Sequence, residues 1–293
     1  MPKKILLTGA SSGLGAALAV ELAARGHQVW ATMRQPEKKL ALLDAAAARG
    51  MTLDSMAVHI DQLDVENADS VQASVARMLH DWGGVDVLIN NAGAGFLRPF
   101  EQTTADDWRW VMEVNFFGAL RCTQAVLPAM RAARQGHILN ISSVGGLVGQ
   151  PFNELYCAAK FALEGFTEAL AVYMEAGFNL HFTLVEPGGI QSDFAKNVLA
   201  RMPGTPPAED DPYAPLLAGY IHRARSRKPE DVAHIYQSSA QVAQVIADCM
   251  EQEQPPLRLR TSPWAEEFCR FKTGADPDGT LQKKMVAGYS LGV

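Results

Sequence analysis

The chain has 293 residues, with 26 Lys+Arg against 32 Asp+Glu for a formal net charge of −6, and 48% of its residues are hydrophobic. These are globular proportions that exclude a disordered polymer, and the acidic balance removes the electrostatic basis for nucleic-acid binding. No apolar run approaches the ~20 residues of a membrane span, and the run after Met1 is too short for a signal peptide, so a cytoplasmic protein is expected.

Residues 3–8 read as a short buried strand cut by Gly9. Residues 14–25 have helical periodicity, with Gly26 at the C-cap position, and 27–33 form a second strand. An Ala/Leu-rich helix over 36–49 stops at Gly50. The pattern then repeats: strand 55–63, helix 68–81, strand 85–90, a long helix 105–133, strand 137–142, helix 152–176 and strand 180–185, ending at Glu186-Pro187-Gly188. Such alternation specifies an α/β fold, a doubly wound parallel sheet with helices on both faces. Residues 189–229 differ in texture, with Pro203, Pro206, Pro207, Pro212, Pro215 and Pro229, and read as a lid. A helix over 229–250, a strand near 257–261 and a charged tail over 262–293 complete one expected domain spanning 1–293. The cysteines, Cys122, Cys157, Cys249 and Cys269, show no Cys-x-x-Cys or Cys/His spacing, which argues against a disulfide framework or a metal site.

Two constellations carry chemistry. Thr8-Gly9-Ala10-Ser11-Ser12-Gly13-Leu14-Gly15 joins the first strand to the first helix. Glycines there let the backbone turn tightly against a pyrophosphate, while the helix amino end offers free N–H groups and a positive dipole. The spacing is G-x-x-x-G-x-G, and its position points to a dinucleotide site on a Rossmann-type sheet. Tyr156 and Lys160 stand at i and i+4 on one helix face, after a strand ending Asn140-Ile141-Ser142-Ser143. A free Tyr has a pKa near ~10, and a cation ~5 Å away at an effective dielectric of ~20 favours its phenolate by ~3 kcal/mol, which predicts a lowered pKa.

These residues, with Asp64-Val65, Asn90-Asn91-Ala92-Gly93, Asn115 and Pro187-Gly188, resemble the short-chain dehydrogenase/reductases over residues 1 to about 250. The stretch from Ser143 through Tyr156 to Gly165 is similar to the estradiol 17β-hydroxysteroid dehydrogenase and photoreceptor retinol dehydrogenase branch. The resemblance implies that Gly9, Gly13 and Gly15, with Ser11, Ser12 and Leu14, hold the dinucleotide phosphates. It implies Asp64 and Val65 at the adenine, Asn91, Ala92 and Gly93 under the nicotinamide ribose, and Pro187, Gly188, Ile190 and Ser192 at the carboxamide. Ser143 would orient a substrate carbonyl, Tyr156 would move the proton, Lys160 would bind ribose hydroxyls and lower the Tyr pKa, and Asn115 would hold a water linking Lys160 to solvent. Ser142 in place of Ser143, Asp64 as a turn residue and Asn115 as a mid-helix polar residue are the alternatives.

The second strand ends Met33-Arg34-Gln35 with no carboxylate until Glu37, so Arg34 is expected to pair with a 2′-phosphate and NADP(H) is favoured over NAD. Leu97, Gly145, Leu147, Val148, Phe152, Phe194, Tyr213, Leu216 and Tyr220 are the expected substrate walls, mostly apolar, with Arg223, Arg225 and Arg227 as a solvated surface run. The reading is an oxidoreductase acting on a bulky apolar alcohol or ketone, assembled as a homodimer or homotetramer through helices near 105–133 and 152–176. Its rivals are a non-catalytic NADP(H)-binding regulator and an epimerase or dehydratase of nucleotide sugars.

Overall fold

The computed structural model describes residues 1–192, 194–200 and 211–291. From the amino end come β1 (Lys4–Leu7), α1 (Gly13–Ala24), β2 (Gln28–Met33), α2 (Leu40–Ala47), β3 (Val58–Gln62), α3 (Ala68–Trp82) and β4 (Val87–Asn90). Then follow α4 (Ala105–Met112), α5 (Gly118–Ala133), β5 (Gly136–Ile141), α6 (Glu154–Phe178) and β6 (Leu180–Glu186). The last third holds β7 (Gly189–Gln191), α7 (Phe194–Ala200), α8 (Ala214–Arg225), α9 (Pro229–Ile235), β8 (Tyr236–Ser238), α10 (Ser239–Met250), β9 (Arg258–Arg260), α11 (Pro263–Thr273) and α12 (Thr280–Leu291).

Seven parallel strands form the main sheet in the order β3-β2-β1-β4-β5-β6-β9. β4 and β5 are buried along their whole length, because helices cover both faces and leave no wet side to alternate with. One core lies under α1, α2 and α10, where Ala16, Ala19, Ala243 and Ala247 let helices approach closely. The other lies under α3, α5 and α6, around Val75, Met78, Val126, Met130 and Leu170. Strand order reverses between β1 and β4, which opens a crevice beyond their carboxyl ends. Leu7 is opposite Ile89 in that pair, so the Gly9 turn and the Asn91–Gly93 loop emerge side by side.

The structure departs from the sequence expectation in four places. The second helix begins at Leu40 rather than at 36. The long helix over 105–133 is interrupted by a π-helical turn, Glu113–Phe117. The helix expected over 229–250 is two helices, because Tyr236–Ser238 extend to pair with Gly189–Gln191, and Ser238 and Gln241 then form a fresh capping box. The expected charged tail folds into α11 and α12; Ser262 caps α11, Pro263 stands in its first turn, and Ala265 and Cys269 are buried. Within the lid the described residues form β7, α7 and α8, and Pro203, Pro206 and Pro207 lie outside the described residues.

Candidate active site

The glycine turn is packed too tightly against the loop after β4 for side chains at its glycines. Gly9 has φ +72°, and a Cβ there would lie 2.8 Å from the Ala92 Cα. Gly13 has φ +53° with Ser192 next to it, and a Cβ on Gly15 would strike Gly9 O and come within 2.7 Å of Asn91 Nδ2. Asn91 braces the turn: its Nδ2 donates to Thr8 O at 3.0 Å and to Gly9 O at 3.1 Å. Thr8 Oγ1 in turn accepts from the Asn91 and Ala92 amides, each at 3.0 Å. Ser12 occupies the N-cap of α1 with its hydroxyl making no capping bond, which leaves the first-turn N–H groups facing the crevice.

That crevice is a cleft of about 740 Å³, lined at one end by Gly9, Ser11, Ser12, Gly13, Leu14, Gly15, Arg34, Asp64 and Val65. Asn91, Ala92, Gly93, Asn115, Ser143, Tyr156, Lys160, Pro187, Gly188, Ile190 and Ser192 line it further along. A cleft of this size that takes in the glycine turn and the amino end of α1 fits a dinucleotide. Asp64 also serves the turn reading, since its Oδ1 accepts from Glu66 N at 3.1 Å ahead of α3. Arg34, largely exposed, places Nη1 3.3 Å from Glu66 Oε1.

At the sheet end of the cleft, Ser143 follows β5 and its Oγ accepts from Gly145 N at 3.0 Å. Tyr156, in the first turn of α6, stands beside Ser143: its ring and the Ser143 Oγ both lie against Gly145. Ser142 Oγ lies instead beside the buried Glu164 carboxyl, near Gly146. Lys160 is buried, donates from Nζ to Ile141 O at 2.8 Å, and lies 5.7 Å from the Tyr156 ring centroid.

The electrostatic balance reverses one expectation. Burial pushes the Tyr156 phenol up to about 12, opposed by the neighbouring Ser143 hydroxyl, and burial brings the Lys160 ammonium down to about 8, opposed by Glu164. Loss of water around the phenol outweighs the single cation one helical turn away, so Tyr156 is held protonated. The Asn115 side chain is fully engaged with protein atoms. Its Nδ2 donates to Ala94 O at 2.9 Å and to Val111 O at 3.0 Å, and its Oδ1 accepts from Ala94 N at 3.0 Å. The side chain therefore fastens the Ala92–Ala94 loop to the π-helical turn.

Of the expected substrate walls, Phe194 and Tyr220 line the cleft, and the Phe194 ring stands 5.9 Å from that of Tyr156. Leu147 and Val148 pack beneath it against Trp264, Ala265 and Phe268, Leu216 is exposed on the outer face of α8, and the Tyr213 hydroxyl bonds Glu101. Leu97, Gly145 and Phe152 are not among the lining residues. Sequence reasoning missed Trp264 and Phe268 of α11, and Ile235 and Tyr236 beside β8, all of which line the cleft. The Ser262-Pro263 start was a readable helix signal, but nothing local said that this helix returns to the site. Gly188 and Gly189 make that return possible: Cβ atoms there would lie 2.8 Å from the Trp264 ring and 2.6 Å from the Tyr236 ring.

A short chain dehydrogenase family model matches residues 3–203. Retinol dehydrogenase 8 of Bos taurus is 41% identical, over 96% of this chain and 88% of its own. The 17-beta-hydroxysteroid dehydrogenase type 1 of Mus musculus is 36% identical, over 95% of this chain and 79% of its own. Among solved structures, a short chain dehydrogenase/reductase from Burkholderia phymatum in complex with NAD has a TM-score of 0.75 at 25% identity, covering 96% of this chain and 95% of that one. Matches of this length and identity make the chain a member of the short-chain dehydrogenase family.

Proposed function

We propose that the chain is an NADP(H)-dependent oxidoreductase acting on a bulky apolar secondary alcohol or ketone, with Tyr156 as its acid and base. The observation that carries the reading is the meeting of Ser143, Tyr156 and Lys160 with the glycine turn in one cleft. Gly9, Ser11, Ser12, Gly13, Leu14 and Gly15 would hold the phosphates, Arg34 the 2′-phosphate, and Asp64 and Val65 the adenine. Asn91, Ala92, Gly93, Lys160, Pro187, Gly188, Ile190 and Ser192 would hold the nicotinamide nucleoside. Bound there, the dinucleotide supplies hydride chemistry.

The protein's part is proton handling. A protonated Tyr156 donates from Oη to a carbonyl oxygen that Ser143 orients, which suits reduction. In the reverse sense the phenolate would accept the proton from an alcohol, and Lys160 stabilises that charge. The aromatic lining from Phe194, Tyr220, Trp264 and Phe268 supports an apolar substrate body, as do the names of the retinol and steroid relatives. Exposed Phe117, Phe161 and Tyr173 on the helical face over α5 and α6 support assembly as a homodimer or homotetramer.

Tyr156→Phe tests the reading. The phenyl ring keeps its contact with Phe194, so the fold is retained, while NADPH-linked ketone reduction falls about 10²–10⁴-fold. Reduction at a near wild-type rate by the folded variant would refute the assignment of the proton to Tyr156.

A further inference from the structure

Arg227 is exposed, as expected of a solvated run, and it also stands in the lining of the cleft, between α8 and α9. Its Nη1 donates to Tyr236 Oη at 2.9 Å, and its guanidinium carbon stands 5.8 Å from the centroid of the same ring. Among the described residues no carboxylate pairs with it, and its other N–H groups have no partner there. The other cations of the lining are differently placed: Arg34 lies beside Glu66 at the adenine end, and Lys160 is buried at the base. Tyr220 belongs to the same lining as Arg227 and Tyr236, and Asn153, just ahead of α6, donates to Tyr220 Oη at 3.4 Å. A continuous wall thus runs from the first turn of α6, which carries Tyr156, through Tyr220 to a guanidinium at the rim.

We propose that Arg227 is a specificity-determining residue that binds a carboxylate at the far end of the substrate. This deepens the reading of the cleft as a carbonyl-reducing site and rests on it. The substrate class is then an oxo or hydroxy acid with an apolar body. Its carbonyl meets Ser143 and Tyr156, its body lies against Phe194, Tyr220 and Trp264, and its carboxylate takes the free N–H groups of Arg227. A guanidinium suits that role because its planar fork matches a carboxylate's two oxygens, and packing against Tyr236 limits the orientations it must give up. On a chain of net charge −6, a guanidinium with no acidic partner among the described residues favours an anion at the mouth of the cleft.

The test is a series of phenyl ketones bearing a terminal carboxylate on alkyl chains of increasing length, each beside its methyl ester. Wild type, Arg227→Gln and Arg227→Lys are assayed with NADPH, and binding to the NADPH-loaded proteins is followed by calorimetry. The wild type is expected to favour the acid over the ester by about tenfold in kcat/KM at the best chain length. Arg227→Gln should erase that ratio and weaken acid binding by a similar factor, and Arg227→Lys should restore part of it. An acid-to-ester ratio that is the same in wild type and Arg227→Gln overturns the proposal and leaves the oxidoreductase reading standing, as does reduction of the esters with refusal of the acids. Failure to bind or reduce either set, together with failure on neutral ketones, overturns both.

Discussion

His137 offers a test of the fold's electrostatics that is independent of the cleft. It lies on β5, buried at 5% exposure, with Nε2 2.9 Å from Thr183 Oγ1 on the neighbouring strand β6. Thr183 Oγ1 donates its own proton to Pro256 O at 2.7 Å, so the histidine must be the donor, which assigns the neutral Nε2–H tautomer. Burial holds its pKa down to about 3 against a usual 6.5, and the nearby His181 and Lys3 act in the same direction. The unfolded chain therefore binds a proton below pH 6.5 that the folded chain refuses until about pH 3, and stability falls as pH falls through that window. The loss at pH 5 is about 2 kcal/mol, from 1.36 kcal/mol per unit of pKa difference, and tends to about 5 kcal/mol at lower pH. His137→Gln keeps a donor for Thr183 and removes the titration. Urea unfolding at pH 8 and pH 5 should show the variant losing about 2 kcal/mol less than wild type on acidification, or about 4–8 °C in Tm. Parallel pH profiles for the two proteins would refute the claim that His137 stays neutral in the fold.

Cofactor choice rests on Arg34: wild type should show the higher kcat/KM with NADPH, and Arg34→Gln should lower that value about tenfold while changing the NADH value little. A wild-type preference for NADH would sink the assignment. The glycine turn makes a steric prediction. Gly15→Ala forces a methyl against Gly9 O and Asn91 Nδ2, and should weaken NADPH binding at least about tenfold by nicotinamide fluorescence, whereas an unaltered Kd would mean that the turn is not the phosphate cradle.

Much of the architecture is legible in local pattern. Apolar runs of four to seven residues alternating with helix-length periodic segments specify parallel strands and crossovers, and β1 through β6 fall within a few residues of where the pattern puts them. The glycine turn and the Tyr156–Lys160 pair are equally local, since each works within one turn of backbone or one turn of helix. The helix over 229–250 was not legible at its middle, because residues 236–238 extend only when Gly189–Gln191 lies alongside to pair with them. The π turn at Glu113–Phe117 was equally hidden, since Asn115 there bonds a loop some twenty residues away.

The sequence by itself determined the parallel sheet, the glycine turn at its switch point and the type of group at each proposed catalytic position, because these depend on side-chain period and on chemistry carried by neighbours along the chain. The tertiary structure decided what surrounds them. β9 pairs with β6, which brings Trp264 and Phe268 back to the cleft, and the lid turns Arg227 into its lining. It also decided which way the Tyr156 pKa moves. The Lys160 charge can be read from spacing, but the loss of water that outweighs it depends on every segment that packs around the phenol.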